Sequence, residues 1–248
     1  MIRNRLDTEL VRRGLADSRQ RAQGLILAGK VLVGGEKVEK SGAQVDESAD
    51  IRITGCDIPY VSRGGLKLKA ALDFFGINAS GLVCADIGAS TGGFTDCLLQ
   101  EGASKVYALD VGYGLLGMKI RQDPRVAIIE RVNARGLTPD ILGGPVDLAV
   151  VDVSFISLKL ILGPAKSVLT PGGIIIPLVK PQFEVGRGNV GKGGIVRDEK
   201  LRRGAVEDIK KFAETLGLEV LNEMESPVKG AKGNVEYLLH LKSADKED

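Results

Sequence analysis

The sequence predicts an α/β fold, with a mostly parallel sheet of seven strands and covering helices, preceded by a small α+β module. Three observations predict it. From residue 82 onward, short Val/Ile/Leu-rich runs alternate with helical patterns, which is how a parallel sheet buried on both faces reads. A glycine-rich turn joins the first of these runs to the first helix. The composition also changes near residue 60: residues 1–40 carry nine basic residues against five acidic ones, in a chain whose formal charge is only +2. A length of 248 residues suits one large domain with a small one. A content of 44% hydrophobic and 27% charged residues is ordinary for a packed soluble protein.

The leading segment reads as two short helices and a small sheet. Leu6, Leu10 and Val11 share one helical face. Asp17 or Ser18 caps the second helix, in which Ala22, Leu25 and Ile26 recur at helical spacing before Gly29 stops it. Val31 to Val33, the Gly34-Gly35 turn and Val38 form a hairpin, and 50–53 is a further strand. Arg12, Arg13, Arg19 and Arg21 are then expected on one exposed surface, either a solvated helix face or the footprint of RNA binding. Residues 1–58 make this domain and 59–63 the linker, where Pro59 disfavours helix at Ile58. The larger domain is 64–248. Its first helix carries the stripe Leu68, Ala71, Leu72 and Phe75 and ends at Gly76. Strands are expected at 82–86, 105–110, 126–130, 147–152, 172–180, 218–225 and 235–241, and helices at 92–101, 115–121, 158–168 and 198–216. The glycine-rich stretch 182–195 is either a lid or a long connection.

Several classes are excluded. Three cysteines (Cys56, Cys84, Cys97) without a C-x-x-C pair argue against a disulfide framework or a cysteine zinc site. A single histidine, His240, makes a His-rich metal site untenable, and no metal is expected. No apolar run approaches a membrane span of roughly 20 residues. The longest, from Ile174 to Val179, contains Pro177. No apolar segment follows the charges at the N-terminus, so the expected location is the cytoplasm and no membrane partner is expected.

Chemistry concentrates at one edge of the expected sheet. Asp86, Ile87, Gly88, Ala89, Ser90, Thr91, Gly92, Gly93 and Phe94 follow a strand and open a helix. Glycine lets a backbone approach a ligand closely, and a helix N-terminus offers free N–H groups. Asp110 ends the next strand, where an acid hydrogen-bonds a cofactor ribose. The G-x-G-x-x-G of NAD binders is broken by Ser90, and no Gly-Lys-Ser/Thr is present. A cofactor with a ribose and an amino-acid tail but no pyrophosphate suits the turn, and S-adenosylmethionine fits. The bland alternative is a tight strand–helix turn. Asp86, Asp110, Asp152 and Lys180 each end a strand, and Glu236 joins them if the last strand runs antiparallel. Lys67, one residue off its helical stripe, can lean over the same rim.

Two resemblances sharpen this reading. Arg5-Leu6-Asp7, Arg19, Ala22, Leu25-Ile26, Gly29 to Val33 and Gly35 resemble the alpha-L RNA-binding module over residues 3–53. That resemblance implies RNA contacts near Arg3, Arg5, Arg19, Arg21 and Lys30. Ser62 to Leu68, Asp86 to Thr95, Val151 to Ser157, Val179 to Glu184, Ser226-Pro227 and Gly233 to Tyr237 resemble the TlyA family. That family joins an alpha-L module to a Rossmann-like, S-adenosylmethionine-dependent methyltransferase of the FtsJ type. The resemblance implies a ribose 2′-O-methyltransferase acting on cytidines of small- or large-subunit rRNA, with ribosomal RNA or subunits as partners. It implies a catalytic tetrad of Lys67, Asp152, Lys180 and Glu236. Asp86, the turn 88–94, Asp110, Val111, Asn133 and Asp152 would hold the cofactor, and Arg63 would add to the RNA contacts.

The residue chemistry agrees. A ribose hydroxyl is a weak nucleophile, so the enzyme must align it with the sulfonium methyl and manage its proton. Lys180 is expected as the base or as the group that orients the hydroxyl. Lys67 would depress the Lys180 pKa or contact the target phosphate, and Asp152 and Glu236 would hold the lysines. Phe74, Phe75, Phe94, Phe155 and Phe183 are candidates for packing, with stacking on an extruded base the alternative for Phe183. A pore-forming haemolysin, an N-methyltransferase and a non-catalytic RNA binder are the alternatives. The first lacks a spanning pattern, the second lacks an Asn/Asp-Pro-Pro-Tyr strand end, and the complete tetrad opposes the third.

Overall fold

The computed structural model describes residues 3–16, 18–54 and 58–244. The chain divides into two compact units, Met1–Asp57 and Ile58–Asp248. Asp17, one of the two expected helix caps, and Cys56 lie outside the described residues.

The first unit runs β1 (Arg3–Arg5), α1 (Leu6–Arg12), α2 (Arg19–Leu27), β2 (Val31–Val33), β3 (Glu36–Lys37), β4 (Gln44–Asp46) and β5 (Ile51–Ile53). Ser18 caps α2 by accepting the Arg21 N–H at 3.1 Å. β2 pairs antiparallel with β3 and β5, and β1 pairs antiparallel with β4. Leu6, Leu10, Ala22, Leu25, Ile26, Val31, Val45 and Ile51 form its core. The pair β1–β4 was not expected, because three-residue strands carry too little alternation to read.

The second unit opens with α3 (Gly64–Phe75), ended by Gly76 in the left-handed region. It continues β6 (Val83–Ile87), α4 (Gly93–Gln100), β7 (Lys105–Asp110), α5 (Met118–Arg121), β8 (Val126–Glu130), α6 (Pro139–Leu142), β9 (Val146–Val151), α7 (Leu162–Ser167), β10 (Leu169–Val179), α8 (Glu199–Thr215), β11 (Leu218–Glu225) and β12 (Tyr237–Ser243). Residues 59–63 are not a free linker. Tyr60 is buried in this unit's core, and Asp96 of α4 accepts the Val61 N–H at 2.8 Å. The helix expected at 115–121 shrinks to four residues with Leu115 exposed, and that expected at 158–168 begins as a 3-10 turn.

Seven strands form one sheet in the order β11-β12-β10-β9-β6-β7-β8. β12 runs antiparallel to β10 and β11, and the pairs from β10 to β8 are parallel. Neighbouring residues of a strand face opposite sides. Ala85, Ile87, Val151 and Ile175 therefore pack with Leu162, Val206 and Ile209. Cys84, Leu148, Val150 and Ile176 pack with Leu68, Leu72 and Leu98. Pro177 stays in the sheet because the β10–β12 pairing skips it: Ile175 opposes Leu241, and pairing resumes at Leu178 and Leu238. From β6 the chain winds to β7 and β8 on one side, then crosses to β9 and β10 on the other. Ligands bind beyond the carboxyl ends of strands at such a switch point.

Candidate active site

The carboxyl ends of β6 and β9 lie side by side, and the Asp152 N–H donates to the Ile87 carbonyl at 2.9 Å. Gly88 follows directly, with φ +91°. A Cβ there would sit 2.6 Å from the Asp152 carbonyl oxygen, so only glycine fits. Two cavities meet at this point, of about 300 Å³ and about 440 Å³. They share Gly88, Ser90, Asp152 and Ser154 in their walls.

Asp86 is fully buried beneath the turn. Its Oδ2 accepts the Thr95 N–H at 2.9 Å and the Thr95 O–H at 2.6 Å. Its Oδ1 is buried without a partner. Burial pushes this carboxyl up to about 7, against the Thr95 hydrogen bonds, and the nearby Asp152 charge adds to the rise. A buried acceptor left open at a cavity is a place for a ligand donor. Ala89, Ser90, Thr91, Gly93 and Phe94 line the smaller cavity, while Gly92 caps α4 in a left-handed conformation. Asp110, Val111 and Asn133 line the larger one. Asp110 already accepts the N–H groups of Ser90 and Gly112, at 2.8 and 2.7 Å. These two bonds fix the loop around the Asp110 carboxylate at the cavity wall.

The four expected catalytic residues come together as two ion pairs. Lys67 Nζ donates to Glu236 Oε2 at 2.5 Å, and both side chains are buried. Lys180 Nζ lies 2.5 Å from Asp152 Oδ1 and donates to Ser154 Oγ at 2.9 Å. The antiparallel run of β12 brings Glu236, the residue just before its start, to this edge. Lys67, Asp152 and Lys180 line the smaller cavity beside the glycine-rich turn.

Sequence reasoning missed several residues here. Ser154, two places beyond Asp152, holds Lys180. Gly230 lies against the Glu236 carboxylate: a Cβ would fall 1.8 Å from Oε1. Glu184 accepts the Ser157 hydroxyl at 2.6 Å and the Leu158 N–H at 2.9 Å, and burial raises its pKa. At the other end of the 182–195 stretch, Asn234 accepts the Val196 N–H and donates to the Gly194 carbonyl. The stretch is thus fastened at both ends. Phe155 does not pack as expected. It is 91% exposed, with φ +65°, and its ring lies 5.2 Å from that of half-buried Phe183. A non-glycine residue held there costs roughly 1–2 kcal/mol, which points to a use for the exposed ring. Phe74 is likewise exposed.

The expected RNA residues are placed unevenly. Arg5 and Arg19 both grip the buried Asp7, each at 3.0 Å. The four arginines expected on one free surface are not four free cations. Arg12 and Arg13 bind the buried Glu9, and Arg13 also reaches the Glu47 and Ala49 carbonyls. Arg3 and Arg21 are exposed, and Lys30 is half-buried. Arg63 belongs to the second unit, where it lines the smaller cavity. Among the described residues no cluster of His, Cys, Asp or Glu could hold a metal ion, and no helix is long and apolar enough to cross a membrane.

The chain belongs to the FtsJ-like methyltransferases. The model of that family matches residues 60–243, and that of the S4 domain matches residues 4–51. The chain also belongs to the TlyA family, as its motifs suggest. It is 49% identical over 242 residues to the "16S/23S rRNA (cytidine-2'-O)-methyltransferase TlyA" of Mycobacterium tuberculosis, covering 97% of this chain and 90% of that one. It is 44% identical to a protein named hemolysin A of Brachyspira hyodysenteriae, covering 95% and 98%. A solved structure from Streptococcus thermophilus, also titled a hemolysin, superposes with a TM-score of 0.78 at 42% identity, covering 99% and 90%.

Proposed function

We propose that this methyltransferase transfers a methyl group from S-adenosylmethionine to the ribose 2′-oxygen of a cytidine in ribosomal RNA. The observation that carries the reading is the joining of two lysine–carboxylate pairs to a cavity walled by the glycine-rich turn. Identity of 49% to an rRNA cytidine-2′-O-methyltransferase supports the substrate class, and an rRNA substrate implies a cytoplasmic location.

The residues fit the cofactor. The open Oδ1 of Asp86 and the Cβ-free approach at Gly88 suit its amino-acid end, and Asp110, Val111 and Asn133 suit its ribose and base. When bound, S-adenosylmethionine supplies a methyl made electrophilic by the sulfonium. Lys180, fixed by Asp152 and Ser154, orients the 2′-oxygen with an N–H. As the new O–C bond formed and the sulfonium S–CH3 bond broke, leaving S-adenosylhomocysteine, the hydroxyl proton would pass to the Lys180–Asp152 pair, where a carboxylate is the vacant proton site. Lys67, fixed by Glu236, contacts the target nucleotide's phosphate. Phe155, backed by Phe183, is the ring that stacks on the extruded base, in place of Phe183 itself. Arg3, Arg21, Lys30 and Arg63 meet RNA directly, while Asp7 orients Arg5 and Arg19 toward it. The domain division for this work is S4 unit and catalytic unit, meeting at residues 57 and 58.

Labelled methyl transfer to 16S and 23S rRNA, naked and in subunits, tests the reading. Wild type should label rRNA. Lys67→Ala, Asp152→Ala, Lys180→Ala and Glu236→Ala should each abolish turnover while sparing cofactor affinity more than Asp86→Ala does. Near-normal turnover by Lys180→Ala overturns the assignment of the pair.

A further inference from the structure

The catalytic unit carries charge at its cavity that the tetrad does not use. The loop from Pro227 to Asn234 holds two lysines and no acid. Its residues Gly230 and Ala231 line the cavity that also contains Lys67, Asp152 and Lys180. Lys229 and Lys232 flank that short wall, one on either side. Both are exposed, and neither has an ion-pair or hydrogen-bond partner among the described residues. Of the two carboxylates that flank the loop in sequence, Glu236 is buried and committed to Lys67, and Glu225 is exposed at the end of β11.

The loop is also stiff. The Ser226 hydroxyl donates to the Val228 carbonyl at 2.8 Å, and the Gly230 N–H donates to the Asn234 carbonyl at 2.8 Å. Asn234 Nδ2 donates to the Ala231 and Gly194 carbonyls, which ties the loop to itself and to the neighbouring segment. Lys232 is held at φ +57°, a conformation a lysine adopts at a cost. Exposed cations on a mobile loop are ordinary solvated charges. Two on a fastened loop, at the mouth of a cavity meant for one nucleotide, sit where the flanking phosphodiesters of an extruded strand must pass.

We propose that Lys229 and Lys232 form a phosphate clamp for the single-stranded RNA backbone on either side of the target nucleotide. These contacts add to the Lys67 phosphate contact within the catalytic unit and are separate from those of the S4 unit. The inference rests on the ribose-methylation reading. Contacts of this kind carry no sequence information, and they hold the strand in register over the tetrad. Each lysine bound to a phosphate releases counterions, so its contribution must fade with salt.

The test is the salt dependence of kcat/KM for rRNA, measured with the full chain. The double variant Lys229→Gln/Lys232→Gln should lower kcat/KM on the order of tenfold at ~0.1 M salt. It should flatten the slope of log(kcat/KM) against log salt by about 1.4, or about 0.7 per contact to a single strand. Cofactor affinity, melting temperature and kcat at saturating RNA should stay at wild-type values. Lys229→Arg/Lys232→Arg should restore the slope. Lys200→Gln/Lys211→Gln, which removes the same charge from α8 away from the cavity, should leave it unchanged. A double-lysine variant whose slope matches wild type, or matches the α8 control, overturns the clamp alone. Wild type that transfers no methyl to any RNA overturns the ribose-methylation reading and the clamp with it.

Discussion

Replacing Glu236 by alanine should destabilise the catalytic unit more than replacing Asp152, although both acids hold a lysine at 2.5 Å. The difference is burial. The two lysines are equally buried, each 10% exposed, but the Glu236 side chain is 2% exposed and that of Asp152 24%. Glu236→Ala strands an ammonium that water barely reaches, which costs about 3–5 kcal/mol. Asp152→Ala leaves Lys180 with its Ser154 hydrogen bond and opens it to water, so the loss is nearer ~1–2 kcal/mol. In a domain of this size 1 kcal/mol moves the melting temperature by roughly 2–4 °C. The two variants should therefore fall by about 6–20 °C and about 2–8 °C. Removing both charges as Lys67→Met/Glu236→Leu should recover most of the first loss, because a well-packed apolar pair often replaces a buried ion pair without penalty. Urea and thermal unfolding measure the three variants against wild type. Equal losses for the two acids, or a double variant as unstable as Glu236→Ala, would refute the burial argument.

Gly230→Ala meets no backbone strain, so its effect should come only from displacing Glu236. Turnover should drop by roughly a hundredfold with cofactor affinity unchanged, and a matched loss of both would contradict this. Asp86 sits near pH 7 in the free protein, and a positively charged cofactor favours its carboxylate. Cofactor affinity by calorimetry should then be about tenfold weaker at pH 6 than at pH 8, and Asp86→Asn should flatten the profile. Because folding raises this pKa, its contribution to stability is full below the unfolded value and is lost as pH rises through about 7. The S4 unit behaves oppositely. The Arg5 guanidinium holds Asp7 well below the usual carboxylate range, and Arg12 lowers Glu9 to about 2. Their stabilisation is present above the unfolded values and is lost as pH falls toward 2, so acid titration by circular dichroism should show this unit melting there, and Asp7→Asn should move the transition upward.

The sheet was legible because strands covered on both faces are almost wholly apolar, as in 146–151 and 105–110. The four-residue helix Pro139–Leu142 was not, since one turn has no periodicity, and the helix expected at 115–121 keeps only its last turn, Met118–Arg121. Strand-end charges announced Asp86, Asp152 and Lys180. The pairing of Lys67 with Glu236 did not show, because it depends on β12 running antiparallel to β10. Ser154, Gly230 and Glu184 act through contacts of a few ångström that spacing does not encode. Phe155 misled because an aromatic residue beside a strand usually packs, and here a left-handed backbone leaves its ring in solvent. Charge alone also overcounted the free arginines, since Asp7 and Glu9 are buried partners that a count cannot locate.

The most direct measurement places the methyl group on the nucleotide. RNA labelled from S-adenosylmethionine is hydrolysed in alkali, which needs a free 2′-hydroxyl to cut the chain. The account predicts label in an alkali-resistant dinucleotide whose 5′ residue is cytidine. Label in ordinary mononucleotides would put the methyl on a base and contradict the role given to Lys180 and Asp152.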